Sequence, residues 1–103
     1  MKVGMTLPVQ FPFGSTEQLV PVYEEMGVDS YWAPDHLLGV FHPEIWPEVP
    51  LSALAGDPDA FYDPFVYGAR IATMTDKTFG ISVTDSTRRR AADLARTALT
   101  LND

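Results

Sequence analysis

Cysteine is absent from this 103-residue chain. That absence excludes a disulfide scaffold and a zinc-thiolate site, and it fits a reducing, cytoplasmic setting. Basic residues are scarce: 7 Lys and Arg stand against 14 Asp and Glu, a formal charge of −7. A surface so acidic argues against nucleic acid or an anionic membrane as the main partner. No apolar run approaches the roughly 20 residues that a membrane-spanning helix needs. The opening MKVGMTLPV carries an apolar stretch too short for a secretory signal. Neither a Gly-rich phosphate loop nor a nucleophile elbow occurs. Asp57 and Asp59 lack the oxygen-ligand spacing of a calcium loop, so no metal site is expected. No internal repeat, low-complexity tract or flexible linker interrupts the chain, and one domain over residues 1–103 is the expectation at this length.

What is present is an alternation of apolar strands and amphipathic helices. Val3 to Leu7 reads as a first strand, nearly all apolar, as in a sheet covered on both faces. A loop with Phe11 and Phe13 follows. Ser15 then reads as a helix N-cap with Gln18 completing a capping box. This helix is expected to run to Met26 and stop at Gly27, with Pro21 either kinking it or marking where its regular part begins. Val28 to Ala33 gives the second strand. Asp63-Pro64 is a strong helix start, an acidic N-cap before a proline at the first helical position. Phe65, Ala69 and Ala72 recur at helical spacing with Val66 beside them, to an end near Thr75. The third strand spans Thr78 to Val83, Thr84 to Thr87 forms a polar loop, and a last helix is expected from Thr87 or Arg88. Its apolar stripe is Ala91, Leu94, Ala95, Ala98 and Leu101. This order predicts an α/β fold with right-handed crossovers and a parallel sheet.

Between Pro34 and about Asp59 no periodicity is sustained. Pro43, Pro47, Pro50 and Pro58 stiffen the stretch, and Phe41, His42 and Trp46 stud it. Loops this long inside a compact domain are usually functional, and the aromatics suggest a lid over an active site spanning 34–60. Phe41 and Trp46 would serve equally as lid core or substrate wall, and His42 reads as a loop residue.

The chemistry is expected where the second strand ends, in Ser30-Tyr31-Trp32-Ala33-Pro34-Asp35-His36-Leu37. Ligands of parallel α/β sheets bind at the carboxyl ends of strands, where loops diverge from a rigid floor. An adjacent carboxylate can hold an imidazole in one tautomer and raise its pKa, which suits proton transfer near neutral pH. Asp35 as a turn cap with His36 as a polar loop residue is the other reading of the same pair. The arginine triplet 88–90 reads either as a clamp for a phosphorylated tail or as surface partners for the chain's acids. Cations at a helix N-terminus are mildly unfavourable, so something should compensate them.

Three segments carry a resemblance: GVDSYWAPDHL at 27–37, FYDPFVYGARIATMTDK at 61–77 and FGISVTDSTRRR at 79–90. Together they resemble the N-terminal portion of the luciferase-like superfamily of (β/α)8-barrel oxidoreductases. The branch that uses the deazaflavin coenzyme F-420 is most similar, within it the phthiodiolone-ketoreductase-like and glucose-6-phosphate-dehydrogenase-like enzymes. The resemblance implies hydride transfer between C5 of the coenzyme and a carbonyl or alcohol carbon of a small molecule. An FMN-dependent monooxygenase on the same fold is one alternative, and a non-catalytic, self-associating barrel fragment is another.

Position by position, the resemblance implies that Asp35 contacts the deazaflavin ring system and that His36 handles substrate or proton. Ser82 and Val83 match the backstop behind the ring, and the bond between them is expected to be cis. Thr84 matches a residue near the cofactor, and Arg88 and Arg89 match arginines opening the next helix. In the glucose-6-phosphate branch an active-site tryptophan lies five positions after the acid, where this chain has Val40. Trp46 lies in the same loop but off that register. On this resemblance the chain is the first three βα units of a larger barrel. With its sheet unfinished, it is expected to self-associate, and the full-length enzyme to form a homo-oligomer.

Overall fold

The computed structural model describes every residue except Phe11, Val40 and Leu54. The Phe11 loop assignment and the Val40 register therefore lie outside the described residues. Three strands, β1 (Gly4–Thr6), β2 (Ser30–Ala33) and β3 (Thr78–Ile81), form one parallel sheet in the order β1-β2-β3. Helices α1 (Gly14–Glu25), α2 (Pro64–Ile71) and α3 (Ala91–Asn102) alternate with them. This is the predicted α/β alternation, an open parallel sheet consistent with part of a TIM barrel. The strands are shorter than the apolar runs suggested, but pairing continues past their ends. Asp29 N–H donates to the Val3 carbonyl at 2.8 Å, Leu7 N–H to Trp32 at 2.8 Å and Ser82 N–H to Ala33 at 3.0 Å.

The two faces of the sheet differ. One packs against helices: Leu7, Val9, Phe13, Val20, Val28, Tyr31, Ala33, Tyr67 and Ile71 form a buried cluster, with Met5 and Phe79 packed on it. Its polar tips are partnered, as burial requires. Tyr67 Oη donates to the Pro8 carbonyl at 2.9 Å and pairs with Thr16 Oγ1 at 2.7 Å. Tyr31 Oη donates to the Val20 carbonyl at 3.2 Å. Burial pushes both phenols up to about 12. The opposite face is open, so β2 alternates where coverage on both faces was expected. Trp32 is 40% exposed there, its Nε1–H on Ser30 Oγ at 3.0 Å. Its indole lies across the neighbouring strands where Gly4 and Gly80 stand; a Cβ on either would sit 2.6 or 2.5 Å from it. Only glycine admits so close an approach.

The helix boundaries bring three corrections. Ser15 is not the cap of α1: the helix begins at Gly14 with Phe13 as N-cap, and no side chain caps it. The buried Phe13 ring and the inward Thr16 hydroxyl set the helix start, which puts Ser15 inside the first turn. The helix runs unbroken through Pro21, whose exposed position leaves its missing donor on the solvent side. Gly27 does end it, at φ +76°. Helix α2 ends at Ile71 rather than near Thr75, because Thr73 Oγ1 donates back to the Arg70 carbonyl at 2.7 Å and Thr75 is drawn off to Glu24. Helix α3 begins at Ala91, not at Thr87 or Arg88. Asp85 accepts from Thr87 N–H at 2.8 Å, Thr87 Oγ1 at 2.7 Å and Arg88 N–H at 3.4 Å, which folds those residues into a turn first.

Candidate functional site

At the carboxyl end of β2 the strand stops at Pro34, and Asp35 turns inward. Its side chain is 1% exposed although it carries a charge. Two guanidiniums from the turn after β3 satisfy it. Arg88 Nη2 pairs with Asp35 Oδ1 and reaches the Asp35 carbonyl at 3.3 Å. Arg89 grips both carboxylate oxygens, Nε on Oδ2 at 2.8 Å and Nη2 on Oδ1 at 3.1 Å. The same Nη2 also reaches Asp63 Oδ2 at 2.7 Å, and the guanidinium lies over the Phe65 ring at 4.9 Å. Asp63 in turn accepts from Phe65 N–H at 2.9 Å and Val66 N–H at 3.2 Å, capping α2 as its sequence predicted.

Four charges of balanced sign thus pin together the end of β2, the start of α2 and the turn after β3. The arginines hold positive charge near the start of α3, and Asp35 and Asp63 provide the compensation that the sequence called for. Arg89, acting through hydrogen bonds and with Arg88 beside it, holds the Asp35 carboxyl below its usual range against the opposing pull of burial. Burial likewise pushes Asp63 upward, and the bonds from Arg89, Val66 and Phe65 outweigh it, so its carboxyl too is lowered. The hydrogen bond to Asp35 is the main cause raising the Arg89 pKa further still.

A cleft of about 320 Å³ opens beside this cluster, lined by Asp35, His36, Leu37, Phe61, Tyr62, Asp63, Arg88 and Arg89. His36 is exposed and sets its ring edge-on to Phe61, with centroids 5.5 Å apart. Among the described residues no hydrogen bond or ion pair joins Asp35 to His36. The arginines have taken the carboxylate that was expected to hold the imidazole, so the tautomer of His36 is not set from that side. Tyr62 stacks on Tyr67, with centroids 5.8 Å apart.

Of the residues singled out in the sequence, Asp35, His36, Arg88 and Arg89 meet in this cleft. Ser82, Val83 and Thr84 do not line it. Val83 is exposed at the end of β3, and Thr84 faces a separate groove between α2, β3 and α3. The bond between Ser82 and Val83 is cis, as the resemblance implied. Phe61 and Tyr62 were missed as cleft walls; the signal available was their place immediately before the Asp63-Pro64 helix start. Asp57 serves as a turn-former, accepting from Asp59 N–H at 2.8 Å. No cluster of metal-ligating side chains occurs among the described residues.

A parallel α/β sheet with a charged, aromatic-walled cleft at its carboxyl edge is the architecture of many small-molecule enzymes. No family model matches the chain, and no solved structure does. A phthiodiolone/phenolphthiodiolone dimycocerosates ketoreductase of Mycobacterium sp. (strain JLS) is 36% identical over 80 residues, which cover 73% of this chain and 21% of that enzyme. The chain is a distant, partial homologue of that ketoreductase, matching about a fifth of its length, and the similarity points to an oxidoreductase lineage. Among the described residues no helix is long and apolar enough to cross a membrane.

Proposed function

We propose that this chain contributes the carboxyl-edge cleft of a luciferase-like oxidoreductase that uses the deazaflavin coenzyme F-420 to reduce a carbonyl, or oxidise the matching alcohol. The observation that carries the reading is the convergence of Asp35, His36, Arg88 and Arg89 on one aromatic-walled cleft beyond the end of β2. The ketoreductase name of the similar enzyme supports the reaction class. The residues lining the cleft suit such a group: Phe61 provides an aromatic wall, and His36 an accessible imidazole. When bound, the coenzyme would supply hydride chemistry at C5 of its ring. His36 would hold the proton that a carbonyl oxygen takes up on reduction. Asp35 and the two arginines would fix the cleft floor; Ser82, Val83 and Thr84, which lie outside this cleft, would meet the ring only where it extends past the end of β3. The chain matches a fifth of the similar enzyme, so the proposal concerns the part of the site that it carries. Self-association through the open sheet belongs to the same reading.

The test is to titrate the protein separately with F-420 and with FMN while following ring fluorescence. Saturable F-420 binding, with His36→Ala lowering turnover but leaving ring binding intact, is the expected result. Binding of FMN alone would move the protein to the flavin-dependent monooxygenases. Binding of neither would remove the cofactor role altogether. Sedimentation of the same sample reads the oligomer.

A further inference from the structure

The open face of the sheet has a composition of its own. By register it presents Gly4 and Thr6 of β1, Ser30 and Trp32 of β2, and Thr78 and Gly80 of β3. A protein layer packed on a sheet interdigitates with aliphatic side chains, and covered parallel strands are rich in them. None of these six carries an aliphatic side chain, and none is charged, in a chain where 20% of the residues are. What the face offers is one large ring set among hydroxyls and bare backbone.

Trp32 does not stand up from the sheet. Its pyrrole edge lies where a Cβ on Gly4 would be, 2.6 Å from Nε1, and its benzo edge where a Cβ on Gly80 would be, 2.5 Å from Cζ3. Strands lie roughly 4.8 Å apart, so a ring that reaches both neighbours of β2 has to lie along the sheet. The bond from Nε1–H to Ser30 Oγ at 3.0 Å holds that orientation. One face of the indole is thus spent on backbone, and the other is left to solvent, with 40% of the residue exposed. An indole laid flat and open is a stacking surface for a second ring. Thr6 on β1 and Thr78 on β3 stand beside the glycines, and among the described residues neither hydroxyl makes a hydrogen bond. A hydroxyl both donates and accepts, so the pair matches the ring nitrogens and carbonyl oxygens at the edge of a heteroaromatic ring.

We propose that this face is a binding site for a flat, uncharged heteroaromatic ring, which stacks on the Trp32 indole and sets its polar edge against the Thr6 and Thr78 hydroxyls. The absence of charge selects a neutral ring, and no side chain rises from Gly4 or Gly80 to limit its width. Trp32 is not among the residues lining the Asp35–His36 cleft, so the inference stands apart from the proposed activity. A coenzyme ring and a planar substrate share this chemistry, and the experiment separates them.

Riboflavin, an uncharged fused ring on a neutral polyol tail, is the probe, and ribitol, the tail without the ring, is the control. The chain has 2 tryptophans, and Trp46, 5% exposed, serves as an internal reference. In a proton–nitrogen correlation spectrum riboflavin should shift the Trp32 indole N–H saturably and leave that of Trp46 in place, while ribitol shifts neither. Trp32→Leu should weaken riboflavin binding about tenfold, the scale of one lost aromatic stack, and Trp32→Tyr, which keeps a ring face, should recover most of it. If F-420 displaces riboflavin from Trp32, the ring is that of the coenzyme. If riboflavin stays in place as F-420 is added, the ring is that of a planar substrate, and the site stands whatever becomes of the coenzyme reading. No saturable shift at Trp32, or a Trp32→Leu protein that binds riboflavin as tightly as the wild type, would overturn the site, even where F-420 binds in the cleft. So would a Trp32 shift that tracks protein concentration rather than riboflavin, because the face would then be buried against a second copy.

Discussion

Helices α2 and α3 flank β3 in the chain, and each carries an apolar stripe, yet one is packed and the other is not. Helix α2 has only 8 residues, but Asp63 caps it, and Pro64, Phe65, Tyr67, Gly68 and Ile71 are buried in it. Helix α3 has 12 residues, no side-chain cap and no buried residue. By length and composition α3 is the better helix; by packing it is the weaker. Most helical stability in proteins comes from burial of one face rather than from propensity, and this pair isolates that effect. The groove between them, lined by Phe65, Ala69, Ala72, Phe79, Ala98 and Leu101, is where the stripe of α3 remains unfilled.

The largest expected effect is on the packed side. Ile71→Ala removes a fully buried side chain and should cost about 2–5 kcal/mol of unfolding free energy in urea. A loss below about 1 kcal/mol would mean that α2 is no better anchored than α3. Next comes the charge cluster. Asp35→Asn leaves two guanidiniums without their shared carboxylate and should destabilise by about 2–3 kcal/mol, since breaking a buried pair leaves the partner's charge uncompensated. The discount from the full buried-pair figure reflects the arginines, whose side chains are 22% and 25% exposed. Full stability in this variant would return Asp35 to a purely ligand-binding role.

A smaller effect, of about 1–2 kcal/mol, is expected from Asp63→Ala, which removes the cap of α2 together with one partner of Arg89. The same acids predict a pH response. Both carboxyls are lowered on folding, so their contribution is fully present above the unfolded value of about 3.9 and is lost as pH falls through the lower folded values. Stability should be level from about pH 8 to 5 and fall below about 4, less steeply in Asp63→Ala. A decline that begins near pH 6 would point to a different titrating group. Last, Leu94→Ala on α3 should cost under about 1 kcal/mol, within the range of surface changes that touch no packed feature. A loss comparable to Ile71→Ala would show that the α3 stripe is buried after all, against a second copy or another surface.

Features that depend on neighbours along the chain were legible before the fold was known. Asp63-Pro64 announced α2 because cap and first turn lie within three residues, and Gly27 announced the end of α1 because it can adopt a positive φ. The alternation of apolar strands with helical stripes was enough for a parallel α/β sheet, while the coverage of both faces that such strands imply is met on one face only. Tertiary structure alone decided the rest. Arg88 and Arg89 grip a carboxylate more than fifty residues away, and no local pattern states which acid a long, flexible cation will find. That choice left His36 without the partner that its sequence neighbour offered. The fate of the α3 stripe could not be read either, because a periodic apolar face says that a helix can be buried and is silent on whether anything covers it.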